Sequence, residues 1–220
     1  ELREFNFRSG IKQSAGVRLR SPQHLFDEVL DLRKRYRIDS FYFIDDLFTL
    51  SRDLVFGFCE LMIKNRVDLV WGCSSKVNTV NEESLKIMKE AGCIQIDFGV
   101  EKASDEQMRL LKKGTKVRDV KEAFRLCRKL GIRTFANMLI NTPGEKEKDL
   151  QNITDLIEEI RPNIVTINIF TPYPGTEIFV NTQGAVSRDE YYLFMEDLSS
   201  LPALYPEKFK FADHDVDLKD

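Results

Sequence analysis

Cys93-Ile-Gln-Ile-Asp-Phe-Gly-Val-Glu101 alternates with a period of two. Ile94, Ile96, Phe98 and Val100 fall on one side, and Gln95, Asp97 and Glu101 on the other. This alternation predicts a strand with one apolar face. Helical patterns flank it, so it reads as a parallel strand in a repeated strand–helix unit. A parallel strand is normally buried on both faces and apolar throughout. This one keeps a polar face and finishes in a carboxylate, at the end of the strand where α/β folds place their ligands. Two readings stay open on period alone: an edge strand with a wet face, or a strand whose polar face meets a ligand.

The neighbouring segments repeat the pattern. Before the strand, Asn81 caps a helix with Glu82 and Glu83 in its first turn, and Gly92 ends it. Residues 67–73 read as a strand running into Ser74-Ser75-Lys76. Ser51 caps the preceding helix, striped by Leu54, Val55, Phe58, Leu61 and Met62. Residues 38–44 form a short aromatic strand that runs into Asp45-Asp46, and Ser21-Pro22 starts the first helix. Residues 1–20 carry Arg3, Arg8, Lys12, Arg18 and Arg20 without a period and read as a basic loop.

After the strand, Ser104 and Gln107 fit a capping box before a short helix that ends near Gly114. Thr115 opens the next helix, with Val117, Val120, Phe124 and Cys127 on one face and Gly131 closing it. Residues 132–140 are a strand in which Arg133 and Asn137 share a parity. Leu150, Ile153, Ile157 and Ile160 stripe a helix that Pro162 stops. The last strand, residues 164–170, carries Thr166 and Asn168. Ser187 and Glu190 fit another capping box before a helix over 191–198, and the tail beyond is acidic.

Strand then helix, with short connections, fits a doubly wound sheet or a (βα) barrel. The polar strand faces favour the barrel. A closed barrel fills its interior with branched apolar side chains, whereas an open one tolerates a wet, ligand-lined interior. The expected fold is therefore α/β, a partial open (βα) TIM-like barrel with parallel strands in chain order. Residues 1–20 are a basic loop, 21–180 the barrel, and 181–220 a C-terminal helix and tail.

Composition narrows the function. With 220 residues, 42% hydrophobic and 31% charged, an ordinary globular core forms. A net charge of −3 gives no electrostatic ground for a nucleic-acid partner. No apolar run is long enough to span a membrane. Cys59, Cys73, Cys93 and Cys127 are far apart, with no CxxC or CxxxCxxC spacing, so no metal or cluster site is read from them. They read as buried reduced thiols, which points to the cytoplasm. The chain opens at Glu1, which reads as a processed or excerpted start. His24 and His214 are the only histidines and receive no role.

Five stretches at strand ends carry the chemistry. They are Phe43-Ile-Asp-Asp46 with Leu-Phe-Thr49, Trp71-Gly-Cys-Ser-Ser-Lys76, Phe98-Gly-Val-Glu101, Asn141-Thr-Pro-Gly-Glu145 and Thr171-Pro-Tyr-Pro-Gly-Thr176. Singly, each is as common in turns and caps. Together, in this order and one per unit, they resemble the radical S-adenosylmethionine superfamily. Within it the chain looks most like the branch that often carries a cobalamin-binding domain ahead of the barrel. That branch includes the anaerobic magnesium-protoporphyrin monomethyl ester cyclases and related methyltransferases. Arg18-Leu-Arg-Ser-Pro22, Ala91-Gly-Cys93 and Lys113-Gly114 also match, so the likeness runs from about Arg18 to Thr176.

The resemblance implies a barrel that binds S-adenosylmethionine across its strand ends. Asp45 and Asp46 would lie near the methionyl amino group and Glu101 near the ribose hydroxyls. The segment from Asn141 through Pro143 and Gly144 to Glu145 would lie near the adenine and ribose, and Pro172 would close over the adenine. Lys76, standing where many members have arginine, and Asn137 complete the expected cofactor-binding set. Carboxylates accept hydrogen bonds from ammonium and hydroxyl groups, and glycine and proline shape backbone close to a flat ring. Asn141 stands where many members have glycine.

The family's first strand and three-cysteine loop are not among these residues. The resemblance therefore implies that this chain alone holds no 4Fe-4S cluster and is inactive. Its parent would be an oxidoreductase or methyltransferase that makes a 5′-deoxyadenosyl radical and acts on a tetrapyrrole-like or other cofactor or natural-product substrate. Cobalamin would enter through a further domain. Two other readings remain: a barrel hydrolase or lyase using Asp45, Asp46 and Glu101, and a cluster-less module binding a nucleoside or a partner. Without the first strand, the edge of residues 38–44 would also be open to self-association.

Overall fold

Strands Ser40–Phe43 (β1), Val70–Ser75 (β2), Cys93–Glu101 (β3), Arg133–Ile140 (β4) and Ile164–Ile169 (β5) lie in one sheet in the order β1-β2-β3-β4-β5. The β1–β2, β2–β3 and β3–β4 pairs are parallel. Strands in chain order fit the partial barrel and not a doubly wound sheet, and among the described residues the sheet is not closed. This computed structural model describes residues 19–142 and 144–170. They divide into two compact units. One is Leu19–Ile140 with Glu145–Asn168; of the other, Asn141, Thr142, Gly144, Ile169 and Phe170 are described. The expected capping box at Ser187, the following helix, the Thr171–Thr176 motif and His214 lie outside the described residues.

The helices are Pro22–Tyr36 (α1), Arg52–Lys64 (α2), Glu82–Glu90 (α3), Asp105–Leu110 (α4), Val117–Lys129 (α5) and Glu147–Ile160 (α6). Their starts follow local chemistry. Ser21 accepts from the His24 N–H with Pro22 in the first turn, Ser51 accepts from the Leu54 N–H, and Asn81 and Ser84 cap each other. Two expected starts differ. Ser104 accepts from the Gln107 N–H, but the Gln107 side chain turns away to Asp149 at 3.3 Å, so the box never closes. The helix expected from Thr115 begins at Val117, because Asp119 accepts from the Lys116 N–H at 3.0 Å and fixes the first turn there. Thr115 is instead buried, its hydroxyl facing the Met108 sulfur.

One face of the sheet carries the core. Ile96, Phe98 and Val100 are at most 1% exposed. Phe43 stacks on Phe48 with ring centroids 4.2 Å apart, and Phe58 and Trp71 pack edge-on around them. The Trp71 indole N–H donates to the Ala91 carbonyl at 2.8 Å, satisfying its one polar atom. Ile94 departs from the expected apolar face and is 37% exposed. The β2–β3 register steps from Trp71↔Cys93 to Gly72↔Gln95, which leaves Ile94 as the extra residue of a bulge. β1 is shorter than the expected 38–44, with Ile44 90% exposed, and β2 continues past Cys73 to Ser75.

All four cysteines are free and buried. Burial raises the Cys59 thiol and pushes Cys127 up to about 12; a hydrogen bond with Cys93, then burial, raises Cys73. The folded state thus holds the Cys127 proton more tightly than the unfolded chain, whose thiol titrates at about 8.5. Its contribution to stability is complete below that pH and falls as pH rises toward 12. We expect a thiol reagent at pH 8 to label none of the four in the native chain and all four in denaturant. The urea midpoint should fall from pH 8 to 10, and less steeply in Cys127→Ala. Prompt native labelling would contradict this core.

Candidate functional site

The opposite face of the sheet is polar. Tyr42 pairs in register with Gly72, Gly72 with Gln95, and Gln95 with Arg133, giving the lowest row. Ser74, Asp97 and Phe135 form the next row, and Gly99 pairs with Asn137 above it. The Tyr42 ring lies against Gly72, where a Cβ would sit 2.8 Å from ring carbon Cδ2. Gln95 donates to Asp97 at 2.9 Å, and the Tyr42 hydroxyl lies 3.2 Å from that of Ser74. Thr166 donates to Asn137 at 2.6 Å.

Glu101 closes β3 in an unusual way. The β3–β4 register shifts between Gly99 and Glu101, and Glu101 has φ +67°. A side-chain-bearing residue there costs about 1–3 kcal/mol and is kept where surrounding contacts fix it. The contact is the Lys113 ammonium, which donates to Glu101 Oε1 at 2.8 Å with both side chains 23% exposed. Gly99 makes room for this pair. A Cβ there would lie 2.7 Å from Glu101 Oε1 and 2.9 Å from Lys113 Nζ. Lys76 is half-buried, with its Nζ 3.7 Å from where a Gly114 Cβ would stand, and Asn78 donates to the Gly114 carbonyl at 3.0 Å. Lys76, Glu101 and the Lys113-Gly114 turn thus gather at one strand end.

Asp45 and Asp46 follow β1 on the same rim and are exposed. No hydrogen bond or ion pair joins either to a described residue, and β1 lies two strand spacings, roughly 10 Å, from β3. Their loop is anchored just downstream. Thr49 Oγ1 lies 2.5 Å from Ser75 Oγ and 2.6 Å from Thr79 Oγ1, so a buried hydroxyl network ties the turn after β1 to the turn after β2. Asn141 and Gly144 take left-handed φ values of +62° and +77°, which suits asparagine and glycine. Pro143 and Pro172 lie outside the described residues.

Sequence reasoning missed Lys102. It is 1% exposed and ion-paired to the buried Glu145, tying the end of β3 to the start of α6. Lysine is almost never buried without such a partner. The shift at Gly99/Glu101 breaks the alternation, so Glu101 and Lys102 leave the strand in directions that period two does not give. Lys113 was legible only as part of a motif, not as the partner of Glu101. Tyr42 was legible in principle, since its parity is opposite to Phe41 and Phe43.

The thiols do not fit an iron–sulfur cluster: all four are buried and free. Among the described residues no group of three His, Cys, Asp or Glu side chains could hold a metal ion. The polar face does fit a polar organic ligand, with a glycine cradle at Gly99 beside the Glu101 carboxylate and the Lys113 ammonium. Among the described residues no helix is long and apolar enough to cross a membrane.

An open parallel barrel with its polar residues at the strand ends defines the class, and the family match fixes it. The Radical SAM superfamily model matches residues 6–157, and the chain belongs to that superfamily. The uncharacterized methyltransferase PH0819 of Pyrococcus horikoshii is 29% identical over 159 residues, covering 72% of this chain and 35% of that protein. An anaerobic magnesium-protoporphyrin IX monomethyl ester cyclase of Rubrivivax gelatinosus is 26% identical, over 74% of this chain and 30% of its own. Among solved structures, the radical S-adenosylmethionine methyltransferase TsrM of Kitasatospora setae, with cobalamin and a 4Fe-4S cluster bound, shares the fold. Its TM-score is 0.68 at 20% identity, over 74% of this chain and 33% of that one. The chain spans about a third of the length of these curated relatives.

The buried Lys102–Glu145 pair gives a direct stability test. Lys102→Met strands a buried carboxylate, which costs about 3–5 kcal/mol. Urea denaturation should show that loss, and Lys102→Met with Glu145→Leu should recover most of it. A single variant as stable as the parent chain would contradict the buried pair.

Proposed function

We propose that this chain is the S-adenosylmethionine-binding barrel of a radical S-adenosylmethionine oxidoreductase or methyltransferase that acts on a small-molecule substrate. The observation that carries the reading is the polar face of the sheet, which rises to Glu101 in its left-handed bulge beside Lys113. A tetrapyrrole-like or other cofactor or natural-product substrate matches the cyclase and methyltransferase names among the relatives. The working enzyme resides in the cytoplasm, in keeping with four free thiols, and takes cobalamin through a further domain.

In this reading Glu101 accepts from the ribose hydroxyls. Asp45 and Asp46 accept from the methionyl ammonium, and Lys76 meets the methionyl carboxylate. Asn137 offers its amide on the same face, and Asn141, Pro143, Gly144 and Pro172 serve the adenine. S-Adenosylmethionine supplies the radical or methyl chemistry when bound; the chain supplies position and a water-poor surface. Because its described thiols do not fit a 4Fe-4S cluster, residues other than Cys59, Cys73, Cys93 and Cys127 would have to hold one, and it would supply the reducing electron when bound.

The full-length protein, purified without oxygen and given a reductant and S-adenosylmethionine, should release 5′-deoxyadenosine or S-adenosylhomocysteine. Glu101→Ala should weaken S-adenosylmethionine binding by about 10–100-fold, the value of a charge-assisted hydrogen bond. A full-length protein that neither binds nor consumes S-adenosylmethionine would overturn the proposal.

A further inference from the structure

The lower rows of the polar face hold a group of side chains that the reading above leaves unused. Asp97 is half-buried at the middle of β3. Gln95 donates to it at 2.9 Å, and the Tyr42 hydroxyl lies 3.2 Å from that of Ser74, the cross-strand neighbour of Asp97. Burial does most to raise the Tyr42 phenol, Ser74 works against it and Asp97 adds to the rise, so the phenol stays protonated. Gln95 is a neutral donor, and no described cation forms an ion pair with Asp97. Its cross-strand neighbours are Ser74 on β2 and Phe135 on β4. Arg133, one row lower and paired in register with Gln95, is exposed.

A carboxylate in such a place is expensive to desolvate unless something positive or strongly donating meets it. The Gln95 amide occupies part of its acceptor capacity, and no other described residue hydrogen-bonds to the rest. Phe135 stands beside Asp97 in register on β4, and on its other side the Tyr42 ring lies over Gly72 with its hydroxyl at Ser74. A carboxylate flanked by aromatic rings suits a protonated amine, which gains a charge-assisted hydrogen bond and a cation–π contact together. Gly72 keeps this arrangement open, since any side chain there would displace the Tyr42 ring. Asp97 lies four residues before Glu101, roughly 13 Å along the strand at about 3.3 Å per residue. A group held at Glu101 therefore does not also occupy Asp97.

We propose that Tyr42, Ser74, Gln95, Asp97 and Phe135 form a second site on this face, which binds the protonated amine of the small-molecule substrate. The assignment rests on the reading of this face as the ligand surface of a radical S-adenosylmethionine barrel. It adds the chemical class of the second ligand and where that ligand's cation sits.

Phenethylammonium serves as the probe, with phenylethanol as its neutral counterpart and S-adenosylhomocysteine titrated in parallel, each followed by amide NMR of this chain. Phenethylammonium should shift Tyr42, Asp97 and Phe135, and phenylethanol should not. Asp97→Asn, which preserves size, should weaken the amine about tenfold or more and leave S-adenosylhomocysteine unaffected; Glu101→Ala should do the reverse. Should Asp97→Asn fail to fold, Phe135→Leu supplies the contrast, with a several-fold loss of amine binding only. Equal binding of the neutral probe, shifts that map elsewhere, or an amine affinity indifferent to both variants would overturn this site. Loss of S-adenosylhomocysteine binding in the parent chain, with the amine result intact, would instead count against the proposed function.

Discussion

The contact between Glu101 and Lys113 across Gly99 governs this face of the molecule. β3 must turn its final carboxylate toward the polar side after a register shift, and a left-handed Glu101 is the result. That backbone is costly for a residue with a side chain. It persists because Lys113 meets the carboxylate at 2.8 Å and Gly99 leaves both groups room. The next residue, Lys102, is buried and paired with Glu145. Consecutive ion pairs of different partners thus fix the end of the strand, one partly exposed, the other buried and structural.

The sheet explains why such a carboxylate is useful. Ile96, Phe98 and Val100 bind β3 to the core on one side. Gln95, Asp97 and Gly99 line the other, beside Ser74 and Asn137 on the adjoining strands. A parallel sheet normally spends both faces on apolar packing. Leaving one polar forgoes hydrophobic stabilisation, and the gain is a surface whose lower rows hold hydroxyl, amide and the Asp97 carboxylate and whose rim holds Glu101 and Lys113. The buried hydroxyl network of Thr49, Ser75 and Thr79 holds two of the rim turns in a fixed relation, so the rim is positioned by secondary structure and not by loops alone.

Much of this was legible in the sequence because it is set locally. The alternation in Cys93–Glu101 separated Ile96, Phe98 and Val100 from Gln95 and Asp97, and the caps at Ser21, Ser51 and Asn81 lie within three residues of their partners. What escaped depends on distant neighbours. Ile94 is exposed because of where β2 shifts register. The Ser104 box fails because Asp149, far along the chain, competes for Gln107. Lys102 finds its partner 43 residues away, and Glu101 finds Lys113 on the far side of α4, 12 residues on. Asp45 and Asp46 show the reverse case: the motif named them, yet no described side chain engages them.

The central claim is that the polar face, and Glu101 at its rim, is where the nucleoside binds. A crystal structure of this chain grown with S-adenosylhomocysteine tests it most directly. The account predicts nucleoside density over Gly99, both ribose hydroxyls within hydrogen-bond distance of Glu101, and the left-handed backbone at Glu101 retained. A ligand seated elsewhere, with the Glu101–Lys113 pair undisturbed, would contradict it.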